Sequence, residues 1–193
     1  MNKGTKAFTI IEILIAIAVI LILAAAALSG SGGIIRSMRF NNAFNKLVFM
    51  TQRARSLAIA KKNADIEKYM VVISLAPSIP QFPKNTAALI LYKYDAPKPE
   101  TIEVLTLQQD SQLYLKTKKA NDLECNDIAV VIFKNGASEP VLACGGPSVI
   151  SNPSSSEVTN ILKIFLTEQD ASGNAVREKS FALYNTSGIP QIE

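Results

Sequence analysis

Lys6-Ala7-Phe8-Thr9-Ile10-Ile11-Glu12-Ile13-Leu14 opens an apolar run that continues to Leu28 with one charge in it, Glu12. A short basic leader, Met1 to Ala7, precedes it and carries Lys3 and Lys6. From Phe8 to Leu28 the run counts 21 residues, which at the helical rise of about 1.5 Å per residue covers roughly 30 Å. Length therefore predicts a membrane-spanning helix over 8–28. A carboxylate placed inside such a span costs a few kcal/mol, so its presence at the fifth position points to a purpose.

Two plainer readings compete with that one. A secretory signal would use Lys3 and Lys6 as its basic region and the small residues Ala24 to Ala27 as its cleavage site, but the run exceeds the usual core of roughly 7 to 15 residues. A simple single-pass anchor accounts for the length and leaves Glu12 without a role.

The segment Lys6 to Leu14 resembles the processing and methylation signature of type IV prepilins and type II secretion pseudopilins. Basic leader, small residue, Phe-Thr and a Glu five residues along coincide in it. The resemblance implies that a prepilin peptidase cuts between Ala7 and Phe8, that the new amine of Phe8 is N-methylated, and that Glu12 becomes the fifth residue of the mature chain. Ala7 departs from the Gly usual in that family before the scissile bond.

The role of Glu12 follows from charge. Removal of the leader would leave a positive amine on Phe8 and a carboxylate about 6 Å further along the helix axis. Helices bundled in an apolar core then match amine to carboxylate at only one stagger, because every other register leaves a buried charge unpaired. The pair Phe8 and Glu12 would thus set register during assembly. Within a monomer, Glu12 could instead cap its own amine or reach the headgroups.

The basic flank places the N-terminus in the cytoplasm and the rest of the chain outside the cytoplasmic (inner) membrane. Cys125 and Cys144 fall in that outer part, where a disulfide persists; the alternative is a pair of free thiols. The expected partners are other pilin or pseudopilin subunits, the prepilin peptidase, the cytoplasmic membrane and inner-membrane assembly machinery.

After the span comes Ser29-Gly30-Ser31-Gly32-Gly33, poor in helix propensity and read as a flexible break at 29–33. Helical periodicity resumes over 34–62, where Phe40, Phe44, Leu47, Thr51, Ala54 and Ala58 recur every three or four residues. The stretch Gln52 to Asn63 is similar to the helix end of H-type minor pseudopilins and FimT-like minor pilins, which implies a minor subunit. Beyond residue 62 the pattern turns to β, with expected strands at 69–75, 87–94, 101–107, 112–116, 128–134, 139–143, 160–167 and 179–184. Asn135-Gly136 and Asp170 to Asn174 mark hairpins. Segments 77–83, 97–99 and 145–156 read as surface loops.

The expected fold is therefore α+β and type IV pilin-like: a long N-terminal helix, its first half membrane-embedded, packed on a mostly antiparallel sheet. The expected divisions are a leader at 1–7, a transmembrane and assembly helix at 8–28, the break at 29–33, an amphipathic helix at 34–62 and an extracytoplasmic β-rich domain at 63–193.

Composition excludes most chemistry. The 193 residues include no histidine, which removes Ser-His-Asp and Cys-His nucleophile arrangements and the commonest zinc ligand. Cys125 and Cys144 do not have Cys-x-x-Cys spacing, and no phosphate-cradling glycine motif occurs. Asp122, Glu124 and Asp127 lack the spacing of a calcium loop. No catalytic residue, cofactor or metal is expected, and the chain reads as a non-enzyme. A net charge of +4 is too small to demand nucleic acid. Lys116, Lys118 and Lys119, with Arg53, Arg55, Lys61 and Lys62, keep open an alternative DNA-binding role in a DNA-uptake pilus, as does a non-polymerising anchored binding domain.

Overall fold

The computed structural model describes residues 9–60, 65–76, 83–94, 99–107, 112–151, 153–154 and 156–193, the side chains of 26–31 and 151 excepted. The leader and the Ala7–Phe8 bond lie outside the described residues, as do Lys61 and Lys62. Two compact units divide the chain, 1–41 and 42–193.

One helix, α1 (Ile10–Ala60), runs through both units. Residues 29–33, poor in helix propensity, are helical in it. Side chains from Ile10 to Ala25 are exposed without interruption, among them Ile10, Ile11, Leu14, Ile20, Leu21 and Leu23.

The expected membrane span is corrected. Among the described residues no helix is long and apolar enough to cross a membrane. The apolar side chains described before residue 26 occupy 10–25, about 24 Å of helix rise against a hydrocarbon layer of roughly 30 Å. Serine, glycine and then Arg36 follow soon after along the same helix. The membrane-embedded first half at 8–28, and the single-pass placement with a cytoplasmic N-terminus and an outer C-terminal domain, are not supported.

Among the described residues, the second unit holds ten strands in two antiparallel sheets, where one was expected. They are β1 (Ile66–Ser74), β2 (Thr86–Lys93), β3 (Glu100–Thr106), β4 (Leu113–Lys119), β5 (Ile128–Lys134), β6 (Val141–Gly145), β7 (Val158–Thr159), β8 (Ile161–Gln169), β9 (Ala175–Tyr184) and β10 (Gln191–Ile192). A six-stranded sheet runs β3-β2-β1-β5-β6-β7, and a four-stranded sheet runs β10-β9-β8-β4. The chain changes sheet after β3, again after β4 and a third time after β7, a topology that strand periodicity does not encode. The segment expected as loop at 145–156 contains a short helix, α2 (Ser148–Ser151), whose Val149 is fully buried.

The six-stranded sheet is apolar on both faces. Met70, Val72, Ile90, Ile128, Val130 and Ala143 form one core with Val149 of α2. Tyr69, Val71, Ile73, Leu89, Val131 and Phe133, at the alternate positions of the pleat, are buried on the opposite face. β1 and β5 therefore read as near-continuous apolar runs, the pattern of strands covered on both sides.

From residue 42 onward, α1 buries Phe44, Leu47, Met50, Thr51, Ala54 and Ala58. The Phe44 ring meets Phe181 of β9 edge to face at 5.9 Å, and Lys179 Nζ lies 5.5 Å from the centre of the same ring. On the side of the six-stranded sheet, Arg53 and Lys46 both reach Glu103 of β3, at 2.9 and 3.6 Å. Arg55 donates to the Ser187 carbonyl at 3.2 Å. These contacts place this part of the helix against both sheets.

The hairpin marked by Asn135-Gly136 joins β5 to β6, but its loop runs on through Pro140 instead of turning in two residues. Gly136 takes a φ of 83° and donates its N–H to the Ala58 carbonyl at 2.7 Å, satisfying an open acceptor near the end of α1. The turn at 170–174 is held by Asp170, whose carboxylate accepts the N–H groups of Ser172 and Asn174, both at 2.9 Å. The Asn174 amide leads in holding the Asp170 carboxyl below its usual range. The amide and hydroxyl of Ser154 do the same for Glu157, whose backbone carbonyl also takes the Cys144 N–H.

A carboxyl whose folded pKa is depressed contributes stability above its unfolded pKa and loses it as pH falls through the folded value. Both turns are thus expected to loosen on acidification below about pH 4. Asp170→Asn with Glu157→Gln should flatten this acid limb in pH-dependent thermal melts; an unchanged limb would show that neither carboxylate contributes to it.

Candidate assembly site

The start of α1 explains its own boundary. Thr9 is the N-cap: its hydroxyl accepts the Glu12 N–H at 3.3 Å, while Glu12 Oε2 accepts the Thr9 N–H and hydroxyl, both at 3.1 Å. This is a reciprocal capping box, two orphan donors of the first turn satisfied by one pair of side chains. Thr-x-x-Glu ahead of an apolar run is the sequence signature of such a box. Glu12 also sits at the positive end of the helix dipole, where a carboxylate is favoured.

Beside Glu12, the small side chain of Ala16 lies between Ile13 and Ile17 and leaves a shallow depression of about 320 Å³. A carboxylate at the head of an exposed apolar helix is thus flanked by a surface without polar competitors. Ala7 and Phe8, the other residues of the expected assembly site, lie outside the described residues.

Cys125 and Cys144 are joined by a disulfide with a Cα–Cα distance of 5.7 Å. Cys144 belongs to β6 of the six-stranded sheet, whereas the Cys125 N–H is donated to the Thr117 carbonyl of β4 in the four-stranded sheet. The bond does more than close the base of the β5–β6 hairpin. It ties the two sheets together at one corner.

The basic residues do not converge. Lys116 and Lys118 lie on the outward face of β4, with Lys118 Nζ 5.6 Å from the centre of the Phe165 ring. Lys119, one position on, turns toward a recess it shares with Glu124 and Asp127. Arg53 is paired to Glu103 at the other sheet. Asp122, Glu124 and Asp127 do not close on a common point, and among the described residues no group of three or more His, Cys, Asp or Glu could hold a metal ion.

Residues 2–28 match the prokaryotic N-terminal methylation motif, a motif typical of type IV pilin-like proteins. No match was found among curated proteins or among solved structures. The likeness to type IV pilin-like proteins rests on this N-terminal segment and covers only these residues. The motif does not distinguish among the subfamilies.

Proposed function

We propose that this chain is a structural subunit, a minor pilin or pseudopilin, of a type IV pilus or a type II secretion-like filament. In this reading the prepilin peptidase removes residues 1–7 at the Ala7–Phe8 bond, and the exposed Phe8 amine is N-methylated. The processed chain then packs against other pilin-like subunits through the first part of α1, driven by an assembly ATPase. The observation that carries the reading is the conjunction of the methylation motif over 2–28 with a helix whose apolar side chains are exposed from Ile10 to Leu23.

An unbroken apolar surface of that extent marks an interaction site, since soluble monomers rarely expose one. Glu12 sits where it can meet the amine of a neighbour displaced along the axis. At 4 Å and an effective dielectric near 20 the attraction is about 4 kcal/mol before desolvation is subtracted, so its main effect is to penalise wrong registers. The glycines within 29–33 supply a stretch of helix able to yield as subunits adjust, because glycine costs about 1 kcal/mol per residue in a helix interior.

The test is the N-terminus itself. Mass spectrometry of the chain from a host that makes prepilin peptidase is expected to find it beginning at methylated Phe8. Retention of the seven leader residues, or a start near Ser29, would remove the proposal.

A further inference from the structure

Past residue 42, α1 has a side that its own domain leaves uncovered. Phe49, Gln52, Ser56 and Ile59 are spaced by three and four residues and so share one side of the helix, opposite the buried ridge of Leu47, Thr51, Ala54 and Ala58. Phe49 is 55% exposed and Ile59 45%. The solvent face of a helix is ordinarily charged or polar, and this one presents a phenyl ring among uncharged neighbours. The three cations of this stretch flank it, and each is engaged with the domain: Lys46 and Arg53 with Glu103, Arg55 with the Ser187 carbonyl.

The Arg55 contact holds the segment after β9 beside the helix. Ile189, 48% exposed, and Pro190 then line one groove with Gln52, Arg55 and Ser56, of about 290 Å³. Phe49 stands a turn before Gln52 and Ile59 a turn after Ser56, so exposed apolar side chains extend the helix wall at both ends. Such a groove suits an apolar helix, which anchors through side chains recurring every three or four residues.

The chain carries that element itself. From Ile13 to Ala25 the side chains of α1 are exposed and uncharged, with Leu14, Ile17 and Leu21 at three- and four-residue spacing. We infer that the groove receives residues 13–25 of α1 from a second copy of the chain, their Ile and Leu side chains seating between Ile189 and Phe49. Electrostatics selects this occupant, because residues 13–25 bring no charge that the groove would bury unpaired. Mutual burial also withdraws from water two apolar surfaces that every copy exposes. Groove and helix are different patches of one chain, so the contact is heterologous, and a heterologous contact that does not close on itself propagates into a filament. This contact rests on the reading of the chain as a filament subunit, and adds where one copy receives the helix of the next.

The test places photoreactive p-benzoylphenylalanine at position 49 of the full chain, produced in its own cells in two differently tagged copies. Irradiation is expected to yield an adduct carrying both tags, with peptide mapping joining position 49 of one copy to residues 13–25 of the other. Ile189→Asp, across the groove, should lower the adduct yield at least about tenfold, since it sets a carboxylate against an apolar helix. Ser56→Glu, at an exposed helix position, should do the same, with circular dichroism and an intact Cys125–Cys144 bond establishing that each variant is folded. Absence of the adduct, mapping to another segment, adducts to other proteins only, or undiminished yield in folded Ile189→Asp or Ser56→Glu would each overturn this contact. Mass spectrometry of the same sample separates the two readings. Methylated Phe8 without the adduct removes the groove contact and leaves the proposed function standing, whereas a retained leader with the adduct present does the reverse.

Discussion

Glu12→Ala is expected to leave cleavage at Ala7–Phe8 intact and to reduce entry of the chain into filaments by at least about tenfold. Two separate contributions are removed by that change. The capping box with Thr9 is lost, worth about 1 kcal/mol of local helix stability. The charge proposed to meet a neighbour's amine is lost as well, and tenfold corresponds to about 1.4 kcal/mol of the gross attraction surviving desolvation. Glu12→Gln separates them, because glutamine preserves the capping geometry without the charge. Quantitative immunoblotting of sheared filaments against whole cells measures both variants. If Glu12→Gln enters filaments like the parent chain while Glu12→Ala does not, helix capping and not charge pairing is the contribution of this residue. If both enter normally, the register mechanism fails.

Removing the Cys125–Cys144 bond by Cys125→Ala with Cys144→Ala is expected to cost about 3 kcal/mol. The bond closes a loop across a sequence separation of 19, which in the chain-entropy model restrains the unfolded chain by about that amount. For a unit of this size about 3 kcal/mol corresponds to a fall in melting temperature of roughly 6–12 °C. Placement makes the loss structural as well as entropic. Without the bond, β4 and the segment returning from it are held to the six-stranded sheet at this corner by contacts such as the Leu115 N–H to Asn85 Oδ1 hydrogen bond at 3.3 Å. Hydrogen exchange is therefore expected to rise first at Thr117 to Cys125 and along β6. Chemical denaturation of the variant within 1 kcal/mol of the oxidised parent would contradict this account.

Local chemistry was legible wherever it rests on neighbours in sequence. The methylation motif, the helical periodicity through Ala58, the centres of the eight expected strands to within a few residues and the turn held by Asp170 all arise from side chains within a few positions of one another. The two-residue strands β7 and β10 are not legible in the sequence because such short pairings carry no periodicity of their own. The helix α2 was hidden among serine and proline, where Val149 forms a helical turn because an apolar sheet face awaits it.

By itself, the amino-acid order determined that a methylation motif over residues 2–28 holds an apolar helix with one carboxylate near its start, and that catalysis by histidine is closed to this sequence. Hydrophobic spacing and charge act over a turn or two of backbone, so a reader needs nothing more. Tertiary structure alone decided that the strands divide into two sheets, that the disulfide binds one sheet to the other, and that Arg55 and Ser187, 132 positions apart in the chain, meet beside one groove. Those facts depend on strand register and on which sheet each strand joins. Both are chosen by the burial of apolar faces over the whole domain, a balance that no short window of residues contains.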